Sequence, residues 1–142
     1  MKTVLEQLAV VDSEFAITAF WANLSPPGGE HPQHVHPNNF LSGVYYVACP
    51  QGANSITFHD PRPQAVAIYP KTTRPVPELS TQMSMETKPG RMVLFPSWHR
   101  HSVPRNNSDQ ERLSISLNVM LTDYLEKHAS PNWKGLKRDG SR

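Results

Sequence analysis

The sequence predicts an all-β domain, most simply a double-stranded β-helix of the jelly-roll kind with short peripheral helices. Three observations carry that expectation. Fourteen prolines among 142 residues work against helix, because each removes a backbone donor and disfavours helical geometry in the residue before it. Short runs rich in β-branched and aromatic residues recur between clusters of Gly, Pro, Asn and Asp. No long helical stretches separate them, so a parallel sheet with crossover helices is excluded. The length suits one domain, which the reading places over residues 1–130, with 131–142 a poorly ordered tail.

Taken in order, Thr3 to Ala9 fits a short helix. Glu14 to Leu24 reads as a strand with Phe15, Ile17, Ala19 and Trp21 on one face, and Ser25-Pro26-Pro27-Gly28-Gly29 ends it. Phe40 to Ala48 (FLSGVYYVA) is the strongest strand, followed by a turn at Pro50 to Asn54 and a shorter strand at Ser55 to His59. From Pro70 to Gly90 prolines recur and periodicity fades, so this stretch is expected to be an excursion, the kind of long loop that serves as a lid. Arg91 to Phe95 is a strand, Pro96 to Arg100 a corner, and Arg105 to Gln110 a polar hairpin loop. Arg112 to Val119 alternates strictly, with Leu113, Ile115, Leu117 and Val119 on one side and Arg112, Ser114, Ser116 and Asn118 on the other. Thr122 to Ala129 suits a short amphipathic helix.

Net charge is +2 with histidines neutral, and no basic face stands out, so nucleic acid is not an expected partner. No apolar run reaches the roughly 18–20 residues of a membrane span. The single cysteine, Cys49, forbids an internal disulfide, and the N-terminal segment lacks the pattern of a secretory signal. A cytoplasmic protein is expected, and exposed sheet edges suit a homodimer.

The chemistry concentrates in histidines. His34 and His36 are separated by one residue and run into the strongest strand; on a strand, i and i+2 point to one side and can offer two imidazoles to one point. A His-x-His in a loop is as readily a surface pair. The only other dense histidine locus is Trp98-His99-Arg100-His101, and spacing does not choose between His99 and His101 as a third donor. Imidazoles suit a transition ion over magnesium or calcium. Three of them would leave coordination positions open, as a catalytic site requires and a structural one does not. His31, His59 and His128 are expected to be solvated or hydrogen-bonded.

Eleven residues after His101 stands Arg112, on the polar side of the alternating strand. That side either faces solvent or lines a pocket. In a pocket, a guanidinium with the Ser114 hydroxyl is a receptor for a carboxylate, and a metal with a carboxylate anchor suggests a bound 2-oxo acid. Trp21, Asn23, Tyr46 and Trp98 are candidate pocket walls. Tyr45 and Tyr46 must point opposite ways on a strand.

The segments HVHPNNFLSGVYYV, FHDPRP, PGRMVLFPSWHRHSV and ERLSISLN, in that order, resemble a small bacterial and phage family of 2-oxoglutarate/Fe(II)-dependent oxygenases related to the prolyl-hydroxylase-like group. The resemblance runs from about Trp21 to Asn118. It implies a metal-dependent oxygenase, a dioxygenase of the hydroxylation type that consumes O2 and 2-oxoglutarate and releases succinate and CO2 while oxidising a small-molecule or peptide substrate. It assigns the first metal ligand to His34, the distal ligand to His101, with His99 at the position before it that is usually leucine-like, and the co-substrate anchor to Arg112 with Ser114. Fe(II) is the implied ion, replaceable by zinc, nickel, manganese or cobalt. His36 stands where the wider superfamily has a carboxylate. Three histidines are the preferred set, with solvent in the gap or Asp60 as alternatives. A second resemblance is to cupins, through Gly28 with His34-x-His36 and Gly90 with Pro96 and His101, but residues 39–41 lack the expected acid. It implies a cupin-like three-histidine metal-binding protein or a cofactor-independent dioxygenase, and neither explains Arg112-x-Ser114.

Overall fold

The computed structural model describes residues 2–10, 14–62, 67, 70–74, 76 and 79–123. They fall into two compact units, residues 1–16 with 121–142, and residues 17–120.

In the first unit, helix α1 spans Lys2–Gln7, starting one residue before and ending two residues short of the expected Thr3 to Ala9, and buries Leu5. Its end is closed by Val10 N–H donating to Leu5 O at 2.9 Å and Ala9 N–H to Glu6 O at 3.0 Å. Ala9 holds the left-handed conformation, φ +52°, that this pair of bonds demands of the first residue past a helix. The expected helix over 122–129 and the tail 131–142 lie outside the described residues beyond Asp123.

Among the described residues there are eight strands: β1 Phe15–Ser25, β2 His31–His34, β3 Leu41–Ala48, β4 Ser55–His59, β5 Gln82–Glu86, β6 Met92–Pro96, β7 His101–Val103 and β8 Arg112–Leu121. They form two four-stranded sheets, ordered β1-β8-β3-β6 and β2-β7-β4-β5. This order is that of the double-stranded β-helix, the chain crossing between the two layers at every step except β4 to β5.

The stretch from Pro70 to Gly90 differs from its expectation as a bare loop. It contains β5, whose residues Gln82 to Glu86 pair antiparallel with His59 to Ser55 of β4. Met85 packs on the core while Met83 is left exposed. The segment is extended because β4 offers it an edge, a condition its own composition does not announce.

Tyr46, Cys49, Phe58, Val93, Phe95 and Ile56 form the apolar core between the layers, with Phe58 meeting Phe95 edge-on at 5.2 Å. Register makes the other half of the interior polar. In the β3–β8 pairing, Ser42 lies opposite Asn118, Val44 opposite Ser116 and Tyr46 opposite Ser114, so these residues share one face. That face points inward: Arg112, Ser114, Ser116 and Asn118 are all buried, whereas Leu113 and Ile115 on the aliphatic side are only half-buried. The opposite side is where Gly43 matters, since a Cβ there would lie 2.7 Å from Leu94 and 3.2 Å from Leu117. On β1 the inward side is Ala19, Trp21, Asn23 and Ser25; Ile17, expected with Trp21, is 55% exposed.

Candidate metal centre

Between the sheets lies a cavity of about 470 Å³ whose lining includes Trp21, Asn23, His34, His36, Tyr46, His101, Arg112 and Ser114. β2 pairs with β7 so that His34 is directly opposite His101. Only His34 of the His-x-His pair is on a strand; β2 ends there, and His36 follows in the connection to β3. The expectation that two strand positions present the imidazoles is corrected. His36 is held instead by its backbone N–H donating to Ser97 O at 2.9 Å.

The result is the same convergence by another route. The nitrogens of His34, His36 and His101 approach to within 4.8 Å of one another and could hold a metal ion. The ring centroids of His34 and His101 are 4.2 Å apart, and those of His36 and His101 are 5.2 Å apart. The tautomers follow from elementary hydrogen bonding. His34 Nδ1 faces Pro32 O at 2.8 Å and His101 Nδ1 faces His99 O at 3.0 Å. A carbonyl only accepts, so each Nδ1 carries the proton and each Nε2 lone pair is left for the ion. Burial also keeps His101 neutral, pushing it down to about 4, and burial together with the neighbouring His34 and His31 lowers His36. Unprotonated imidazoles are the form a transition ion takes.

Across the cavity, Arg112 is 5% exposed. Its Nε has no hydrogen-bond partner, and among the described residues no carboxylate pairs with it. Burial lowers its pKa, which measures how poorly the charge is accommodated. The other polar side chains of its strand face are satisfied. Ser116 Oγ accepts from Asn23 Nδ2 at 2.8 Å, and Asn118 Oδ1 accepts from Ser42 Oγ at 2.7 Å, with Ser42 Oγ also bonded to Ser97 Oγ at 2.8 Å. Arg112 and Ser114 alone on that face have no such partner among the described residues. Tyr46, buried beside them, is pushed up to about 12 by burial against the pull of Arg112, so it stays a neutral phenol.

The remaining expectations sort as follows. Trp21, Asn23 and Tyr46 line the cavity; Trp98 does not. It is 62% exposed and stacks at 5.4 Å on His99, whose half-buried ring lies 5.2 Å from Phe58 rather than in the cavity. His99 contributes no nitrogen to the cluster. Asp60, the alternative carboxylate, is bound to Arg62 through two oxygens, at 2.6 Å for the shortest contact, and held at about 2 by it; it is not in the cluster either. His59 bonds Ser102 Oγ at 2.9 Å, as expected, and His31 is exposed but also lines the cavity, 4.4 Å from the His34 ring. His128 lies outside the described residues.

Sequence reasoning missed the small buried polar residues that fix the walls. Ser97, fully buried, ties the loop carrying His36 to β3 and β8 through Ser42. Asn106 donates to Ser25 O at 3.1 Å and to Gln110 O at 2.8 Å, and its backbone exchanges bonds with Gly28 and Gly29. It thereby clamps the β1–β2 connection that borders the cavity. The Asx-type bond from Ser108 N–H to Asn106 Oδ1, 3.0 Å, is the one local signal that Asn-x-Ser offered.

Residues 19–118 match the family model described as "Putative 2OG-Fe(II) oxygenase". The chain belongs to the 2-oxoglutarate/Fe(II) oxygenase family. No curated protein sequence matches it. Among solved structures, an oxidoreductase of the 2OG-Fe(II) oxygenase family from Burkholderia pseudomallei is similar at TM-score 0.62 and 15% identity, over 83% of this chain and 50% of that one. HygX from Streptomyces hygroscopicus, with iron bound, is similar at 0.59 and 11%, over 86% and 65%. A prolyl-4-hydroxylase from Pseudomonas putida is similar at 0.57 and 17%, over 84% and 60%. At these identities the likeness is one of fold, and the chain spans half to two-thirds of the length of these structures. The family's ion and co-substrate, Fe(II) and 2-oxoglutarate, match what the cavity offers: three imidazole donors at one end and, at the other, a buried cation with no carboxylate partner among the described residues.

Proposed function

We propose that the protein catalyses Fe(II)- and 2-oxoglutarate-dependent oxidation, of the hydroxylation type, of a small-molecule or peptide substrate, with succinate and CO2 as co-products. The observation that carries this reading is Arg112: a guanidinium buried without an acceptor, in the same cavity as three convergent imidazoles. A protein that only stored a metal would have no use for it, whereas a dicarboxylate needs one pole at the ion and one at a cation.

His34, His36 and His101 would hold the ion, and the neutral character of all three leaves its double positive charge undiminished. When bound, Fe(II) with 2-oxoglutarate would activate O2, the oxidant, which is reduced as 2-oxoglutarate is decarboxylated to succinate and a substrate C–H bond is oxidised. The chain's residues do the rest. Arg112 and Ser114 take the distal carboxylate, the guanidinium as a fork of donors and the hydroxyl as a further one. Tyr46, neutral, has a hydroxyl that can donate beside them. Val44, Ile56 and Phe95 line the cavity, keep its floor dry and strengthen those charge contacts. Trp21 and Asn23 also line the cavity.

Incubation of the Fe(II)-loaded protein with 2-oxoglutarate under air, with succinate measured, tests the reading. Succinate above a metal-free control is expected even without substrate, through uncoupled turnover. Its absence, with Fe(II) shown to be bound, would refute it.

A further inference from the structure

The three imidazoles are not held alike. His34 and His101 each have Nδ1 fixed on a backbone carbonyl. The His36 ring makes no hydrogen bond to a described residue, and only its backbone is tied, to Ser97. Yet a ligating histidine normally depends on its second nitrogen's partner for ring orientation, and a ring without one is free to turn about χ2, which is broad for His.

Besides the other two imidazoles of the cluster, at 5.0 Å for His34 and 5.2 Å for His101, what lies against it is Trp21. The two rings stack at 5.9 Å with 26° between their planes, within the range of offset aromatic pairs. The indole is itself fixed: Trp21 Nε1 donates to Asn23 Oδ1 at 3.1 Å, and Asn23 Nδ2 donates to Ser116 Oγ at 2.8 Å. Ser116 belongs to β8, in the middle of the sheet. We infer that Trp21 is the positioning residue for His36, an indole locked through Asn23 to β8 that replaces the hydrogen bond orienting the other two imidazoles. The residue so held is the one standing where the wider superfamily places a carboxylate. A carboxylate has two equivalent oxygens and tolerates rotation, whereas an imidazole offers one lone pair in the ring plane and does not. The replacement therefore calls for a device that sets the ring plane, and β1 supplies it with Trp21 and Asn23 two residues apart on its inward side.

The inference rests on the metal reading above, and the test separates the two. Co(II) is titrated into the full chain and followed by its visible absorption. Trp21→Ala is expected to lower Co(II) affinity about tenfold, the lower end of what loss of an outer partner costs, and to change the shape of the spectrum. Trp21→Phe keeps the stack without the Nε1 bond, should fold where the alanine variant does not, and is expected to fall between the two. In the His36→Ala background, the second change Trp21→Ala should have no further effect. Unchanged Co(II) affinity in Trp21→Ala, or an equal loss in the His36→Ala background, would overturn the positioning role while leaving the metal site standing. Failure of the unaltered protein to bind Co(II) would overturn both.

Discussion

The two ends of the cavity are built on opposite terms. At the histidine end, donors from β2, the connection after it and β7 converge, two of them, His34 and His101, with Nδ1 already fixed on a backbone carbonyl. At the Arg112 end, a single strand presents a charge and a hydroxyl with nothing to receive them among the described residues. The first end brings three imidazole donors together for a cation, and the second carries an unmet demand for an anion. A buried donor left unsatisfied costs about 1–3 kcal/mol, more when charged. A fold retains such a cost where a ligand relieves it.

The comparison is broken most forcefully at the histidine end. His101→Ala removes the most buried of the three donors, and metal affinity is expected to fall by at least about a hundredfold, since two imidazoles form a much weaker site; equilibrium dialysis with metal analysis checks this. The Arg112 end should respond in two directions. Arg112→Met is expected to weaken 2-oxoglutarate binding about tenfold to a hundredfold, the worth of charge-assisted hydrogen bonds, with metal affinity retained. In the ligand-free protein the same change should raise the melting temperature, because it removes a buried unpaired charge. Calorimetry reads both, and a destabilised Arg112→Met protein would contradict the account of that end.

A pH series sharpens the contrast further. His101 has a folded pKa of about 4, below its ordinary value near 6.5. Between these values the unfolded chain binds a proton that the folded one refuses, so metal-free stability is expected to fall as pH drops from about 6.5 towards 4 and to level off below. Urea midpoints at pH 7 and pH 4.5 measure it, and the His101→Ala protein should lose that part of the slope. The smallest effects belong outside the cavity. His99→Ala, Trp98→Ala and Asp60→Ala are expected to leave metal affinity within about twofold, as surface changes away from the donors do.

Much of this architecture was legible in the residues. The alternation of Arg112 to Val119 and the β-branched run in Leu41 to Ala48 report burial on a strand directly, and both strands stand where expected. The two histidine loci singled out in the sequence also lie together in space. What sequence could not show was partnership. β5 is a strand because β4 lies beside it, and the facing of His34 by His101 is a register set across 67 residues of chain. The path of His36 off the strand depends on Ser97, which reads as an ordinary corner residue. Which way the polar side of β8 faced was undecidable from alternation alone, since a polar face that lines a pocket alternates with an aliphatic one just as a polar face in solvent does. Trp98 shows the converse: an aromatic beside a metal ligand in sequence, turned outward by the corner that carries it.

The most direct test of the central claim, that one cavity joins a three-histidine metal site to a carboxylate anchor at Arg112, is an anaerobic titration of the Fe(II)-loaded protein with 2-oxoglutarate followed in the visible region. A charge-transfer band that saturates with 2-oxoglutarate, and that needs about ten times more of it in Arg112→Met, is expected. No band despite bound Fe(II), or the same titration curve in Arg112→Met, would contradict it.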